Sequence, residues 1–231
     1  MLRCFVSIES VEEESLAGRM YRQIQRNINF RQTCVIQVIH TRMSMQADVI
    51  RRFHTALPEV RQWIDQLLDV HANHARVVNT LGFTRLSACF PNELLDRTKV
   101  VSVERVPFPP VDRFGLPELT SMQQMSFDGI TFKDTFFLRQ GYASEELHFH
   151  ELVHVVQWAR LGIDNFLLAY GLGLLTFGYA QSPLERMAYA LQRSFELGTA
   201  PQELVRIIEQ DTDAIWNQAA PIVQGWHGDR F

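Results

Sequence analysis

The sequence predicts an α+β protein, rich in helix, with a small sheet or hairpin packed beside one apolar helix. Three observations carry this. Apolar residues recur at helical spacing over long stretches, as in Val60, Trp63, Ile64, Leu67, Leu68 and His71. Runs that read as strand are few and short: CVIQVIH at 34–40, residues 99–106 and GITFKDTFFLR at 129–139. The most apolar helical stretch, LHFHELVHVVQWARLG, follows soon after the last of these. With 231 residues, 46% hydrophobic and 21% charged, the chain can build one substantial core, or a catalytic domain with a helical appendage.

Taken in order, residues 10–28 read as a polar helix and 34–40 as a strand. Helices are expected over 45–57 and 58–80. Pro58 suits the first position of the second, and Gly82 lies just past its end. Residues 91–95 read as a short helical turn and 99–106 as a strand. Pro107, Pro109, Pro110, Gly115 and Pro117 mark a long irregular connection. It divides the chain into a helical N-terminal part, 1–106, and a core with C-terminal helices, 107–231. Residues 129–139 read as a hairpin turning at Lys133-Asp134.

The next helix begins at Ser144, whose hydroxyl can cap it, with Glu145 and Glu146 suiting its positive end. Gly162 is its stop signal, and Asp164 is expected to cap the following element. Residues 166–180 carry no charge but fall short of the ~20 residues that span a membrane, so they read as a buried helix or helix pair wrapping the site. Ser182-Pro183-Leu184-Glu185 has the form of a capping box opening another helix.

Composition excludes some partners. A net charge of −4 with no Lys/Arg-rich run argues against nucleic acid. Cys4, Cys34 and Cys89 are widely separated, with no CxxC, which points to core thiols in a reducing compartment. The N-terminal stretch lacks an apolar signal region. Cytoplasmic residence is therefore expected, although export through a specialised machine would leave no trace here.

The chemistry lies in His150-Glu151-Leu152-Val153-His154. On a helix, positions i and i+4 stand ~6 Å apart along the axis and point nearly the same way, so two imidazoles can meet one Zn²⁺. Glu151 falls beside that ion, where a carboxylate can take the proton of metal-bound water. A buried glutamate between two histidines is costly without a cation, which weighs against a purely structural pair. Catalytic zinc usually has three protein ligands. The HExxHxxGxxH continuation is absent, since Gln157 and Arg160 stand where glycine and the third histidine belong. Glu185 is then the outstanding third ligand, with Glu196 and Asp164 less well placed, although the capping box explains Glu185 without a metal.

HELVHVVQ followed by PLERMAYA resembles the gluzincin type of zinc metallopeptidase, over roughly residues 90–195. It is most similar to small bacterial proteins with HELVHVxQ and a Pro-x-Glu-Arg-x-Ala-Tyr segment. The resemblance implies a zincin-like fold, with His150, His154 and Glu185 as zinc ligands, Glu151 as general base and a peptide or protein as substrate. In such peptidases a strand beside the metal helix commonly presents an edge to an extended substrate. The chain departs from the pattern at Tyr189, where many gluzincins place an Asp that orients a histidine. Tyr142, His148, Tyr170, Tyr179 and Tyr189 are conceivable oxyanion donors. His71 and His74 form a second pair at i and i+3, which exposed helix histidines explain better. The expected activity is zinc-dependent hydrolysis of a peptide bond; the alternative is a metal-stabilised interaction module or effector component without turnover.

Overall fold

A computed structural model describes residues 48–224 of the chain. The helix expected over 10–28, the strand over 34–40, Cys4 and Cys34 lie outside the described residues. The first element is one helix, α1, over 48–71, and not two helices meeting at Pro58. Pro58 is exposed on this helix, which runs through it although proline supplies no N–H to the helical ladder. The apolar face of α1 ends at His71, whose Nδ1 lies 2.9 Å from the Leu67 carbonyl. A 3-10 turn follows at Ala72–His74. Residues 76 and 77 then leave helical geometry for a short strand, β1 (Arg76–Val77), so the helical reading of 72–80 is corrected.

Two short helices come next, α2 (Thr84–Cys89) and α3 (Asn92–Arg97), then strand β2 (Lys99–Val103). The proline-rich connection contains a 3-10 turn at Pro117–Leu119 and a short helix, α4 (Thr120–Gln123). The hairpin has the expected form: β3 (Gly129–Phe132) and β4 (Thr135–Arg139) pair antiparallel, with Phe132 opposite Thr135 and Lys133 at a φ of 59° in the turn. The sheet order is β1-β2-β4-β3, with β2 parallel to β4 and the other pairs antiparallel. Because β2 pairs with β4, residues on both sides of position 106 share one sheet, and the described residues belong to the second of two compact units, which begins at Asp48.

Alternation along these strands supplies two apolar layers. Val101, Phe132 and Phe137 join Val60 and Ile64 of α1 in one cluster. Val100, Phe136 and Leu138 join Phe149, Leu152 and Val156 in the other. Phe136, Phe149 and Leu152 are fully buried, each worth roughly 1.5–3 kcal/mol of transfer free energy.

Helix α5 (Glu145–Phe177) carries the motif. Ser144 caps it as expected, accepting from the Leu147 amide at 3.2 Å. Gly162 breaks it, with φ 71° and ψ 172°, a region open essentially to glycine alone. The second segment, 163–177, is the buried element expected over 166–180; Gly171 and Gly173 lie within it without interrupting it. Asp164 does not act as a cap: its Oδ2 stands 3.3 Å from Nη1 of Arg61 on α1. A 3-10 turn at Tyr179–Gln181 leads to α6 (Pro183–Glu196), and α7 (Leu204–Gln224) packs against α5, where Arg160 pairs with Asp213. Among the described residues no helix is long and apolar enough to cross a membrane.

Candidate metal centre

His150 and His154 project from successive turns of α5 with their Nε2 atoms 3.1 Å apart. The carboxylate of Glu185, at the start of α6, closes the third side. Its Oε2 lies 3.5 Å from Nε2 of His150 and its Oε1 3.4 Å from Nε2 of His154. One ligand atom from each residue falls within 4.8 Å of the others, and all three side chains are buried. Pro183 occupies the first turn of α6 as expected, but Ser182 makes no capping hydrogen bond and its Oγ is left without a partner. The capping box does not form. Glu185 is turned toward the histidines instead.

Two glutamines orient the imidazoles. Nδ1 of His154 meets Oε1 of Gln157 at 2.8 Å, and Nδ1 of His150 meets Oε1 of Gln192 at 3.0 Å. The amide orientations follow from the other ends: Nε2 of Gln157 donates to the Leu184 carbonyl at 3.2 Å, and Nε2 of Gln192 donates to Glu196 at 3.0 Å. With oxygen toward each ring, the Nδ1 proton is held and each Nε2 turns its lone pair toward the other. Two such nitrogens 3.1 Å apart require a cation between them, either a proton or a metal ion.

The charges agree with this. Burial lowers the pKa of His154, yet the Glu185 carboxylate, with help from Glu151 and Gln157, outweighs burial and raises it to about 9. Burial acts to raise Glu185, but His154 and His150 hold it well below the usual carboxylate range. Glu185 Oε2 has no hydrogen-bond donor, since the 3.5 Å contact with His150 is too long for one. A buried ion costs several kcal/mol unless compensated. Two neutral nitrogens and one orphaned carboxylate oxygen are the donor set that Zn²⁺ takes, so the residues fit a metal ion.

Glu151 stands apart from these three side chains. Thr131 Oγ1, on the edge strand β3, donates to its Oε2 at 2.7 Å. Its Oε1 lies against Gly129, where any Cβ would collide with it and would sit 2.9 Å from its Cδ. Glycine at this position makes room for the carboxylate. Burial raises the pKa of Glu151, against the lowering influence of His150, His154 and Thr131. A carboxylate made more basic beside a cation site is suited to accept a proton. The expectation for β3 is met in that it is the edge strand, but Trp158 Nε1 already takes the Thr131 carbonyl at 3.1 Å.

The remaining candidates separate clearly. Tyr170, on the second segment of α5, donates to Glu185 Oε1 at 2.6 Å. Tyr189 places its ring 4.6 Å from that of His150. His148 points elsewhere, bonded at 2.7 Å to the Ser144 carbonyl and packed on Phe83 and Phe136; burial lowers its pKa. Tyr142 is exposed under Arg139. His71 packs on Phe137 and His74 is exposed, so they form no metal pair. Asp164 pairs with Arg61, and Glu196 reaches the centre only through Gln192. Cys89 is half-buried and its thiol is made less acidic by burial.

Sequence reasoning missed Gln157, Gln192, Thr131, Gly129 and the bonding of Tyr170. Gln157 alone had a local signal, three residues after His154 on the same helix. A cavity enclosing about 930 Å³ of atom-free space, part of it open to solvent, adjoins the centre. His150, Glu151, His154, Glu185, Tyr170 and Tyr179 line its polar end. No protein-family model, curated protein or solved structure matches the chain.

Proposed function

We propose that this chain is a zinc-dependent hydrolase of the gluzincin kind, cutting amide bonds in a peptide or protein. The observation that carries the reading is the convergence of His150 Nε2, His154 Nε2 and Glu185 with a separate basic carboxylate, Glu151, held alongside by Thr131. His150, His154 and Glu185 would hold the ion. Bound there, Zn²⁺ supplies Lewis-acid polarisation of the scissile carbonyl and makes water more acidic.

Glu151 takes the proton of the attacking water and returns it to the leaving amine. Thr131 and Gly129 aim its carboxylate. Gln157 and Gln192 accept from the Nδ1–H groups and so fix the ring tautomer and orientation in which each Nε2 faces the metal. Tyr189, whose ring lies beside that of His150, is the phenol placed to donate to the substrate's carbonyl oxygen.

Burial of all three ligand residues to 5% exposure or less favours a second reading, a metal-stabilised interaction module without turnover. One experiment separates the two. Purified protein is assayed for bound metal and for cleavage of unstructured protein substrates, beside Glu151→Gln. The hydrolase reading expects equal metal and turnover lower by about two orders of magnitude or more in the variant. Metal retained by both proteins, with no cleavage by either, supports the module.

A further inference from the structure

The cavity beside the centre differs sharply from its polar end. Away from the ligands it is walled by Phe53, Ala56 and Val60 of α1, by Phe108 and Leu116 of the proline-rich connection, and by Leu174 of α5. Among the described residues no lysine or arginine lines it, and the titratable groups of the metal centre, Glu151, Glu185 and the two histidines, lie at its polar end. Away from the polar end, an anionic group would lose its hydration against aromatic and aliphatic walls with no cationic side chain among the described lining residues to pair with it. A cationic group would lose its hydration against aromatic and aliphatic walls. An uncharged apolar group loses nothing and gains buried area.

The α1 wall is held firmly. A side chain at Gly171 would collide with the Phe53 ring, so the glycine lets α1 approach the second segment of α5 closely.

We propose that the centre acts on a substrate presenting a bulky, uncharged apolar group, and that α1, through Ala56 and its neighbours, sets the size of that group. This rests on the hydrolase reading for its catalytic meaning but not for its binding test.

Two matched fluorescent probes supply that test: neutral N-phenyl-1-naphthylamine, and 8-anilinonaphthalene-1-sulfonate, which adds one negative charge to the same rings. The metal-loaded full chain is titrated with each, beside Ala56→Trp and Leu174→Trp, which narrow the cavity from opposite walls. Circular dichroism and metal content identify whichever variant is folded. The proposal expects one neutral probe per chain, bound at least about tenfold more tightly than the sulfonate and weakened about tenfold or more in each folded variant. Equal binding of the two probes, or neutral-probe binding unchanged by both substitutions, overturns it. If neither variant folds, competition decides: cleavage of end-blocked peptides with Leu or Phe beside the bond must be inhibited by the neutral probe, and an uninhibited reaction overturns the proposal. Probe binding of the expected pattern without cleavage of any peptide retains the cavity assignment and removes the hydrolase reading. Cleavage indifferent to side-chain size or charge does the reverse.

Discussion

Tyr170 donates its phenolic proton to Oε1 of Glu185 at 2.6 Å, and this bond decides which carboxylate oxygen is left for a metal. Oε2 remains without a donor, deep in the cluster. Burial and the nearby Glu185 charge push the Tyr170 pKa well above its usual value, so the phenol keeps its proton throughout the working range. Tyr170 is thus a positioning residue, fifteen positions before the ligand in the chain and on the far side of the Gly162 break.

Tyr170→Phe should retain the fold and lower metal affinity by roughly tenfold, within the ~10–100-fold range typical of groups that orient metal ligands. Competition with a chromogenic chelator measures it. Wild-type affinity in the variant would show that Glu185 needs no such support.

Glu185→Gln removes the proposed anionic ligand and should abolish most metal binding. Glu196→Gln touches the centre only through Gln192 and should change affinity by no more than about tenfold. Elemental analysis after dialysis distinguishes them. Equal metal content in the two variants would exclude Glu185 from the ligand set.

Gly129→Ala should leave metal bound while reducing turnover, because the added Cβ displaces the Glu151 carboxylate and not the histidines. A loss of about tenfold to a hundredfold in kcat is expected, since a displaced base loses part of the ~10²–10⁴-fold that such catalysis contributes. Thermal unfolding should register a cost of about 1–3 kcal/mol for overpacking. Metal loss, with the fold intact, would place Glu151 among the ligands.

The metal-free protein should lose stability as pH rises from about 6.5 to about 9. His154 is raised in the folded state, so its contribution is fully present below its unfolded value of 6.5 and disappears as pH passes the folded value. The metal-loaded protein should respond oppositely, because the ion competes with that proton. Binding at pH 7.5 should release about one proton, measurable by calorimetry in buffers of different ionisation enthalpy. A melting temperature of the metal-free protein that rises over the same interval contradicts the assignment.

The elements legible in the sequence were those decided over a few residues. The i,i+4 register of His150 and His154, the Ser144 cap, the turn at Lys133 and the start of α6 at Pro183 each follow from local geometry and hydrogen bonding. Local signals misled where long-range packing opposed them. Pro58 is a natural helix start, yet α1 runs through it, with Ala56, Val60 and Ile64 buried on one face. Ser182 to Glu185 spells a capping box, but the buried histidines attract the carboxylate more strongly than a terminal amide does. Only the tertiary structure decided what surrounds the ligands. Gln192, Thr131, Gly129 and Tyr170 come from α6, an edge strand and the helix beyond Gly162, and none is spaced along the chain in a way that announces its partner. A motif can specify the ligands on one helix because the backbone itself holds their spacing. Their orientation, and the shape of the cavity beside them, depend on contacts made only once the helices and sheet have packed.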